Sequence, residues 1–494
     1  MYDLNKIRRD VDNFCSEMEK EWYLNWAGIK EEMNLSAIYD KYENLFTKEL
    51  ILAVKEKRKH AKGEEQRKLR YLQQFFVSEY LGMSVKELSE KAETMESKAA
   101  VEVDGEKIPF RLAAVKIANE PKRVQRGKLF EARNRVIDKI NVVLLKRMEK
   151  LHKTPRELGY KNYMTLFRDI KGIDFQRLEK LMRGFIAKTE SIYTARMNRA
   201  LLDKVGVKLK DAEKHDLAFF FRAKEFDTSF KKENAVETLR KTLTNMGFQL
   251  DEQKNIELDV EERPKKSPRA FCSGIRVPDE VKLVVMPKGG HDDYAALFHE
   301  AGHAEHFGCV NQDLDVEYKR LGDNSVTETF AFLLEYLLTD ENWLRQNTPL
   351  RDSKEYLGFL YLYKLYFLRR YGAKLSYELK LHTATALKGM DEIYKETLEE
   401  ALKFKHPKNH YLTDHDDGFY CAQYLRAWIF EEQLRAELKE RFGKEWFNNN
   451  DAGTFLKSLW ANGQKYDAVE LAQMVGYKDL DIEPLLSSLQ KRLS

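Results

Sequence analysis

The sequence predicts a mainly α-helical protein with one small β-sheet. Its 494 residues include only 10 prolines and 24 glycines, and long segments rich in Glu, Lys, Leu and Ala carry apolar residues three and four positions apart. Two such segments are residues 135–153 and 175–205, in which an apolar stripe lies opposite charged side chains. Neither segment continues as a heptad repeat, so we expect both to be core helices. Hydrophobic residues make up 43% of the chain, which is enough for one large domain or for two lobes.

Composition and charge narrow the possible classes of function. The chain has 85 Lys and Arg against 81 Asp and Glu, a net charge of +4, and both signs are mixed within the same segments. Such mixing is typical of solvated helix faces and argues against nucleic-acid binding. The four cysteines are far apart, which argues against a disulfide framework or a cysteine-rich zinc module. The N-terminal segment lacks a signal-peptide core and no apolar run reaches membrane-spanning length, so we expect a cytoplasmic protein that does not bind membranes.

The composition and hydrophobic pattern of the sequence change near residue 250. We place a boundary there, between a helical lobe at 1–250 and a second lobe at 251–494, although both could belong to one bilobed domain. After the boundary, Pro, Gly and Ser interrupt short alternating or β-branched runs, which predict a small sheet. The expected strands are at 256–260, 270–277 and 281–286. The turn "PKGG" then leads into a helix. Asp292 and Asp293 stand where this helix begins, and a carboxylate there suits the N-terminus as a cap or as a partner of the helix dipole.

This helix contains the stretch "AALFHEAGHAEHFG", residues 295–308, which holds three of the eleven histidines. His299 and His303 are four residues apart, so they share one helix face and can bind one metal ion. Glu300 is offset by one position and can direct its carboxylate at a metal-bound water, as the general base of an H-E-x-x-H motif. The alternative is a pair of surface histidines, but the residues before His299 are apolar, and burying two unpartnered imidazoles is costly. Gly302 would allow another element to approach closely.

A catalytic zinc ion commonly has three protein ligands, so a third ligand is expected. No third histidine follows at the spacing of the H-E-x-x-H-x-x-G-x-x-H pattern, which excludes that class of enzyme. The best candidate is Glu328 in "NSVTETFAFLLEYLL", an apolar helix that Ser325 or Asn324 would cap. Glu335 returns to the same side of this helix. It could hold one of the ligand imidazoles, or it could form a salt bridge with a neighbouring Arg or Lys.

The segments "HEAGHAEH" and "TETFAFLLE" together resemble the thimet oligopeptidase and oligoendopeptidase F family of zinc peptidases. The resemblance covers roughly residues 265–430, whereas the N-terminal half is similar only in being helical. It implies a two-lobed helical shell around a deep channel, with the catalytic lobe at 251–494 and one Zn²⁺ per chain held by the two histidines and Glu328. It also implies a metalloendopeptidase that hydrolyses internal bonds of short, unstructured oligopeptides.

In this family a histidine and one or more tyrosines stabilise the oxyanion of the reaction, a role that suits phenolic O–H donors. The segment "HDDGFYCAQY" matches if His415, Tyr420 and Tyr424 take these roles, and His410 is the competing choice for the histidine. Either tyrosine could instead be an aromatic residue of the core. The sequence departs from thimet oligopeptidase at a further tyrosine position, where it has "YLRAW".

Two other classes of function stay open. A zinc carboxypeptidase or dipeptidyl carboxypeptidase on the same scaffold would need a cation for the terminal carboxylate of its substrate, and Arg426 and Lys405 are the candidates. The second of these classes is a non-enzymatic helical protein with structural zinc, although three protein ligands beside a general base argue against it. For a peptidase we expect the edge strand "SGIRV" to align the substrate by strand addition. The oligomeric state stays open.

Overall fold

The computed structural model describes residues 2–350 and 352–494, and it confirms the mainly α-helical class. Helices account for 71% of the residues, and the strands form only two small sheets. Among the described residues, no helix combines the length and the apolar character needed to cross a lipid bilayer.

The described residues form 22 α-helices that are spread along the whole chain. In chain order the first eleven are α1 (Leu4–Trp26), α2 (Leu35–Lys41), α3 (Lys48–His60), α4 (Gly63–Ser84), α5 (Lys86–Lys98), α6 (Phe110–Asn119), α7 (Arg123–Glu157), α8 (Tyr163–Lys171), α9 (Phe175–Lys188), α10 (Glu190–Val205) and α11 (Lys214–Phe221). The other eleven are α12 (Lys232–Asn245), α13 (His291–Gly308), α14 (Val316–Arg320), α15 (Asn324–Glu335), α16 (Glu341–Asn347), α17 (Lys354–Thr383), α18 (Met390–Leu402), α19 (Tyr420–Phe442), α20 (Asn450–Trp460), α21 (Ala468–Met474) and α22 (Glu483–Leu493). The expected helix at 135–153 lies within α7, whereas the segment 175–205 divides into α9 and α10.

Five strands form two sheets within the described residues. They are β1 (Ala100–Val103), β2 (Glu106–Pro109), β3 (Ile256–Asp259), β4 (Phe271–Arg276) and β5 (Glu280–Val284). The second sheet has the order β3-β5-β4, with β3 parallel and β4 antiparallel to the central β5. The three strands expected after residue 250 are confirmed, with ends that differ by no more than two residues.

The hairpin of β1 and β2 is not among the expected strands. Its turn residues Asp104 and Gly105 have φ angles of 51° and 82°, so both adopt the left-handed conformation of a tight hairpin turn. An Asp-Gly pair between two short alternating runs is a recognised signal for such a turn. The runs "AVEV" and "EKIP" on either side of this pair could therefore have been predicted as the two strands of a hairpin.

The chain folds into two compact units, each assembled from separate segments. The first unit comprises residues 2–77, 224–350, 352–357 and 423–485, and the second unit comprises 78–223, 358–422 and 486–494. The boundary near residue 250 does not separate them, because both units take segments from either side of it. The packing gives the reason: Tyr23 of α1 and Ala27, the residue that ends this helix, form a hydrophobic cluster with Phe271 and Ile275 of β4.

The first unit places the three-stranded sheet between helices. Both α1 and α13 contact β4, and α13 packs closely against α15. A Cβ atom at Gly302 of α13 would lie 2.5 Å from the backbone oxygen of Phe330 and 2.6 Å from the Cα of Ala331 on α15. The close approach expected at Gly302 is therefore present, and it brings the side chains of α15 within reach of those of α13.

The second unit is organised around the long helix α7. This helix contacts α5, α6, α8, α11 and the hairpin strand β1. A cluster of buried apolar residues from the hairpin, α6 and α7 forms one of its cores, with Val101, Ile108, Phe110, Leu129 and Ile137 among its members. Burying such side chains is the main force that stabilises a helical layer of this kind.

Candidate metal centre

The helix α13 carries the two histidines, and the residues at its start fix its direction. Gly289 and Gly290 precede it with φ angles of 86° and 100°, which favour glycine. Asp292 and Asp293 occupy the first turn, as expected. The carboxylate of Asp293 accepts hydrogen bonds from the backbone N–H groups of Lys288 and Gly289, at 2.8 and 3.1 Å, and so holds the turn against the helix.

The start of α15 is fixed by a buried ion pair rather than by the expected caps. Asp323 is the N-cap and accepts from the N–H of Ser325 at 3.0 Å, while Asn324 is the first residue of the helix. The guanidinium of Arg426 donates to Asp323 at 2.8 Å. Burial alone would raise the pKa of Asp323, but the Arg426 charge and the hydrogen bonds from Ser325 and from the N–H of Ala468 together outweigh it, and the pKa falls to about 2. The ion pair anchors the start of the helix, five residues before Glu328.

His299, His303 and Glu328 form one cluster between α13 and α15. The Nε2 atoms of the two histidines lie 3.4 and 3.9 Å from the same Oε2 atom of Glu328. Potential ligand atoms of all three residues lie within 4.8 Å of one another. A tetrahedral zinc ion with ligands at about 2.0–2.1 Å needs ligand atoms about 3.3 Å apart. Two imidazoles and one carboxylate at this spacing therefore suit a single zinc ion.

The second nitrogen of each imidazole has its own partner. Nδ1 of His299 lies 2.8 Å from Oε2 of Glu335, and Nδ1 of His303 lies 2.8 Å from the hydroxyl of Thr327. An ionised carboxylate only accepts hydrogen bonds, so Glu335 fixes a proton of His299 on Nδ1 and makes Nε2 the nitrogen that could bind a metal ion. Glu335 therefore contacts an imidazole, as in the first of the two alternatives expected for it, rather than a neighbouring Arg or Lys. Thr327 was not among the expected residues.

The protonation of the two histidines differs because their surroundings differ. Burial lowers the pKa of His299, but its contacts with Glu328 and Glu335 outweigh burial and hold it well above the ordinary value. Burial lowers the pKa of His303 to about 4, so this imidazole is neutral at physiological pH. Neutral imidazole is the form that binds a metal ion.

Glu300 is held beside the cluster by the edge of the sheet. One of its carboxylate oxygens accepts the backbone N–H of Cys272, in β4, at 2.9 Å. Burial raises the pKa of Glu300 to about 7, and the nearby charges of Glu328 and Glu335 act in the same direction. A carboxyl group with such a pKa both accepts and releases a proton near neutral pH.

The edge strand β4 already has partners at two of its carbonyl groups. The guanidinium of Arg320 donates to the oxygens of Gly274 and Ile275, at 2.8 and 2.6 Å. These residues belong to the run "SGIRV" for which we expect substrate strand addition. The N–H of Cys272 is likewise bonded, to Glu300, so these three backbone groups are not open for pairing with a substrate strand.

Tyr424 lies in the same unit as the cluster. Its ring packs 5.7 Å from the ring of Phe332 and 5.8 Å from that of Trp428, and Phe332 in turn lies 5.1 Å from the ring of His299. The ring of Phe332 thus lies between Tyr424 and the candidate ligand His299. The side chain is only partly buried, so both roles expected for it, packing and hydrogen-bond donation, are compatible with its position.

The two candidate histidines of the oxyanion site lie in the second unit. His410 is buried, with Nδ1 2.9 Å from the ammonium of Lys214 and Nε2 3.0 Å from the side-chain oxygen of Asn134. Burial and the Lys214 charge hold the pKa of His410 well below its ordinary value. The Nε2 of His415 lies 3.3 Å from Asp417, which raises the pKa of His415 although burial opposes it. Both nitrogens of His410 therefore serve contacts inside the second unit.

Tyr420 also lies in the second unit and is the first residue of α19. The two residues before it, Gly418 and Phe419, have φ angles of 68° and 57°. A Cβ atom at Gly418 would lie 2.9 Å from the ring of Phe167, so glycine is needed there for space as well as for conformation. This left-handed pair sets the direction in which α19 begins.

The two cations considered for an exopeptidase have different surroundings. Arg426 is 7% exposed and forms the ion pair with Asp323, so its charge is already balanced. Lys405 is exposed and lies in the second unit. The structure thus argues against Arg426 as the group that binds a substrate carboxylate.

A second group of potential ligands, Glu378, Asp416 and Cys421, lies in the second unit and was not expected from the sequence. Glu378 accepts from the N–H of Asp416 at 2.7 Å and from the thiol of Cys421 at 3.0 Å. The ammonium of Lys374 lies 2.9 Å from Asp416. Internal hydrogen bonds and a lysine charge account for this group without a metal ion.

Comparison with known proteins gives no assignment. No model of a protein family matches the chain, and no curated protein matches it significantly. The relation to the thimet oligopeptidase and oligoendopeptidase F family therefore stays a resemblance, carried by the motifs around His299 and Glu328.

Proposed function

We propose that the protein is a zinc metallopeptidase that hydrolyses internal bonds of short, unstructured oligopeptides. One observation carries the proposal: two imidazole nitrogens face a single carboxylate oxygen of Glu328, while the carboxylate of Glu300, which interacts with the charges of His299 and Glu328, is held by the N–H of Cys272 and stays outside the ligand set. A structural zinc site has no need of this additional carboxylate. The resemblance of the motifs around His299 and Glu328 to a family of zinc peptidases favours a peptidase among zinc enzymes.

In this proposal each residue of the cluster has a separate task. His299, His303 and Glu328 would hold the zinc ion, which supplies an acidified water and polarises the scissile carbonyl. Glu300 takes the proton of the attacking water and passes it to the leaving amine. The backbone N–H of Cys272 keeps the Glu300 carboxylate in one orientation, which limits the motion needed before proton transfer.

Stabilisation of the oxyanion is assigned to tyrosine and histidine side chains. Tyr424 is the candidate supported by position, because Phe332 connects it to His299. Tyr420, His415 and His410 are assigned from the family resemblance alone. An O–H or N–H donor directed at the developing negative charge lowers the barrier because it needs no reorientation during the reaction.

The supporting test is digestion of a mixed peptide library by purified protein, with and without a metal chelator. We expect internal cleavage that stops when the chelator removes the metal and returns when zinc is added. Release of only C-terminal residues or dipeptides would instead favour the carboxypeptidase alternative. Zinc binding with no cleavage of any peptide would favour the non-enzymatic one.

We also propose a cytoplasmic location. All four cysteines are thiols rather than disulfides in the structure, which agrees with a reducing compartment.

A further inference from the structure

We infer that Thr327 is a positioning residue of the metal centre: its hydroxyl orients the His303 imidazole and thereby raises the affinity for the metal ion. The inference rests on the proposed metal site, but not on the reaction that the site performs. Thr327 is 7% exposed and lies on α15, immediately before the ligand Glu328. Two consecutive residues of one helix would then serve the metal, one directly and one through a histidine.

The contact has the geometry of a hydrogen bond that selects a ring orientation. Oγ1 of Thr327 lies 2.8 Å from Nδ1 of His303, while Nε2 of the same ring faces Glu328 at 3.9 Å. An imidazole anchored at Nδ1 can rotate less about its χ2 angle, and a proton held on Nδ1 leaves the lone pair on Nε2 for the metal. The hydroxyl therefore holds the ring orientation, and when a metal ion occupies Nε2 it accepts the proton that Nδ1 then carries.

The hydroxyl of Thr327 does not make the bond that a buried threonine in a helix usually makes. Thr329 on the same helix and Thr242 on α12 each donate to the backbone carbonyl four residues earlier, at 2.7 and 2.8 Å. Thr327 instead reaches across to α13 and contacts His303. Helix formation alone does not account for this orientation, whereas support of the imidazole does.

The chemistry of the site explains why this partner is a hydroxyl rather than a carboxylate. His299 already has the carboxylate of Glu335 as its partner, and Glu328 and Glu300 lie within the same cluster. A fourth carboxylate would add like-charge repulsion in a largely buried place. A threonine hydroxyl supplies the hydrogen bond without adding charge.

The test compares zinc dissociation constants, measured by competition with a chromophoric chelator, among variants of the full chain. Thr327→Val keeps the shape but removes the hydroxyl, and we expect about 10- to 100-fold weaker binding. Thr327→Ser restores the hydroxyl and should bind zinc nearly as tightly as the wild type. Thr329→Val is the matched control, since it removes a hydroxyl from the same helix that contacts a carbonyl, and it should leave the zinc affinity unchanged. Thr327→Ala provides a second removal if the valine variant does not fold.

A measurement on the zinc-loaded wild type adds an independent readout. Nitrogen-15 NMR of the His303 ring should show the proton on Nδ1. A proton on Nε2, or equal zinc affinities of Thr327→Val, Thr327→Ala and wild type, would overturn the inference while leaving the proposed peptidase intact. A wild-type protein that binds no zinc would overturn both.

Discussion

The buried carboxylate of Asp323 stabilises the first unit and also fixes the start of α15, the helix that carries Glu328. Its pKa falls from an ordinary 3.8 to about 2, because the Arg426 charge and the hydrogen bonds to the carboxylate together outweigh the opposing effect of burial. A carboxylate whose pKa is lowered in the folded state stabilises that state above pH 4. This contribution is lost as the pH falls from about 4 to about 2, and it amounts to about 2 kcal/mol.

We therefore expect Asp323→Asn to lower the free energy of unfolding at pH 7 by about 2 kcal/mol or more, since Arg426 also loses its counter-charge. The deficit relative to wild type should narrow as the pH falls through 3, where the wild-type carboxylate becomes protonated. Urea denaturation at a series of pH values measures both effects. Asp340→Asn is the matched control: Asp340 caps α16 and pairs with the more exposed Lys439, so the loss should be below about 1 kcal/mol. A deficit for Asp323→Asn that is constant from pH 7 to pH 2 would contradict the ion-pair explanation.

The tyrosine and histidine candidates can be distinguished by removing single functional groups. Tyr424→Phe and Tyr420→Phe each remove one hydroxyl and little volume, so both should fold. One of them should lose about 10²–10³ in kcat, the size of the effect expected for a missing oxyanion donor. His415→Ala and His410→Ala test the two alignments in the same assay. Wild-type kcat in both tyrosine variants would show that these rings only pack.

At the scale of the helix pair, Gly302 determines how closely α15 approaches α13. A methyl group there would meet backbone atoms of Phe330 and Ala331 at 2.5 and 2.6 Å, so it can be accommodated only if the helix moves. We expect Gly302→Ala to destabilise the protein by about 1–3 kcal/mol and to weaken zinc binding, because α15 carries Glu328.

Gly184→Ala is the control for this prediction. It also lies inside a helix, α9, but no atom lies within 4 Å of the added Cβ. That change should raise the stability by about 0.5–1 kcal/mol, as expected for alanine in a helix. Thermal denaturation of both variants gives the two signs, and a stabilising Gly302→Ala would mean that the helices are not in close contact.

Local sequence patterns determine how many of these elements could be predicted. The strands of the second sheet and the start of α13 follow from alternation, Pro and Gly punctuation, and the first-turn residues Asp292 and Asp293. The cap of α15 was wrongly placed at Ser325 or Asn324: three preferred N-cap residues follow one another there, and the arginine that pairs with Asp323 lies about a hundred residues away in the sequence. The contact of Thr327 with His303 likewise depends on how two helices pack, and no local pattern indicates it.

At the scale of the whole molecule, the interleaved units explain why a boundary near residue 250 was the wrong kind of division. The contact of α1 with β4 joins the beginning of the chain to a strand that follows residue 270. Composition changes along the sequence, whereas compact units follow contacts in space. The second unit shows the same property, because it is completed by the last residues, Leu486–Ser494.

Substrate size is the prediction that belongs to this scale, and it rests on the channel that the family resemblance implies. A folded protein must lose about 5–15 kcal/mol of stability before its chain can extend along a strand edge, whereas an unstructured peptide has no such cost. We expect cleavage of peptides of about five to twenty residues and negligible cleavage of folded proteins. Mass spectrometry of a peptide mixture and of a native globular protein, digested side by side, measures this. Rapid digestion of the globular protein would contradict the channel.

The most direct test of the central claim is to measure zinc content and peptide hydrolysis together in Glu300→Gln. Glutamine keeps the side-chain oxygen that accepts the N–H of Cys272 but cannot act as the base. We expect one zinc ion per chain, as in the wild type, with kcat reduced by at least about 10²–10⁴. His299→Ala and His303→Ala, prepared in parallel, should lose the zinc as well as the activity. Wild-type kcat in Glu300→Gln, with its zinc retained, would contradict the claim that this cluster is the catalytic centre of a zinc peptidase.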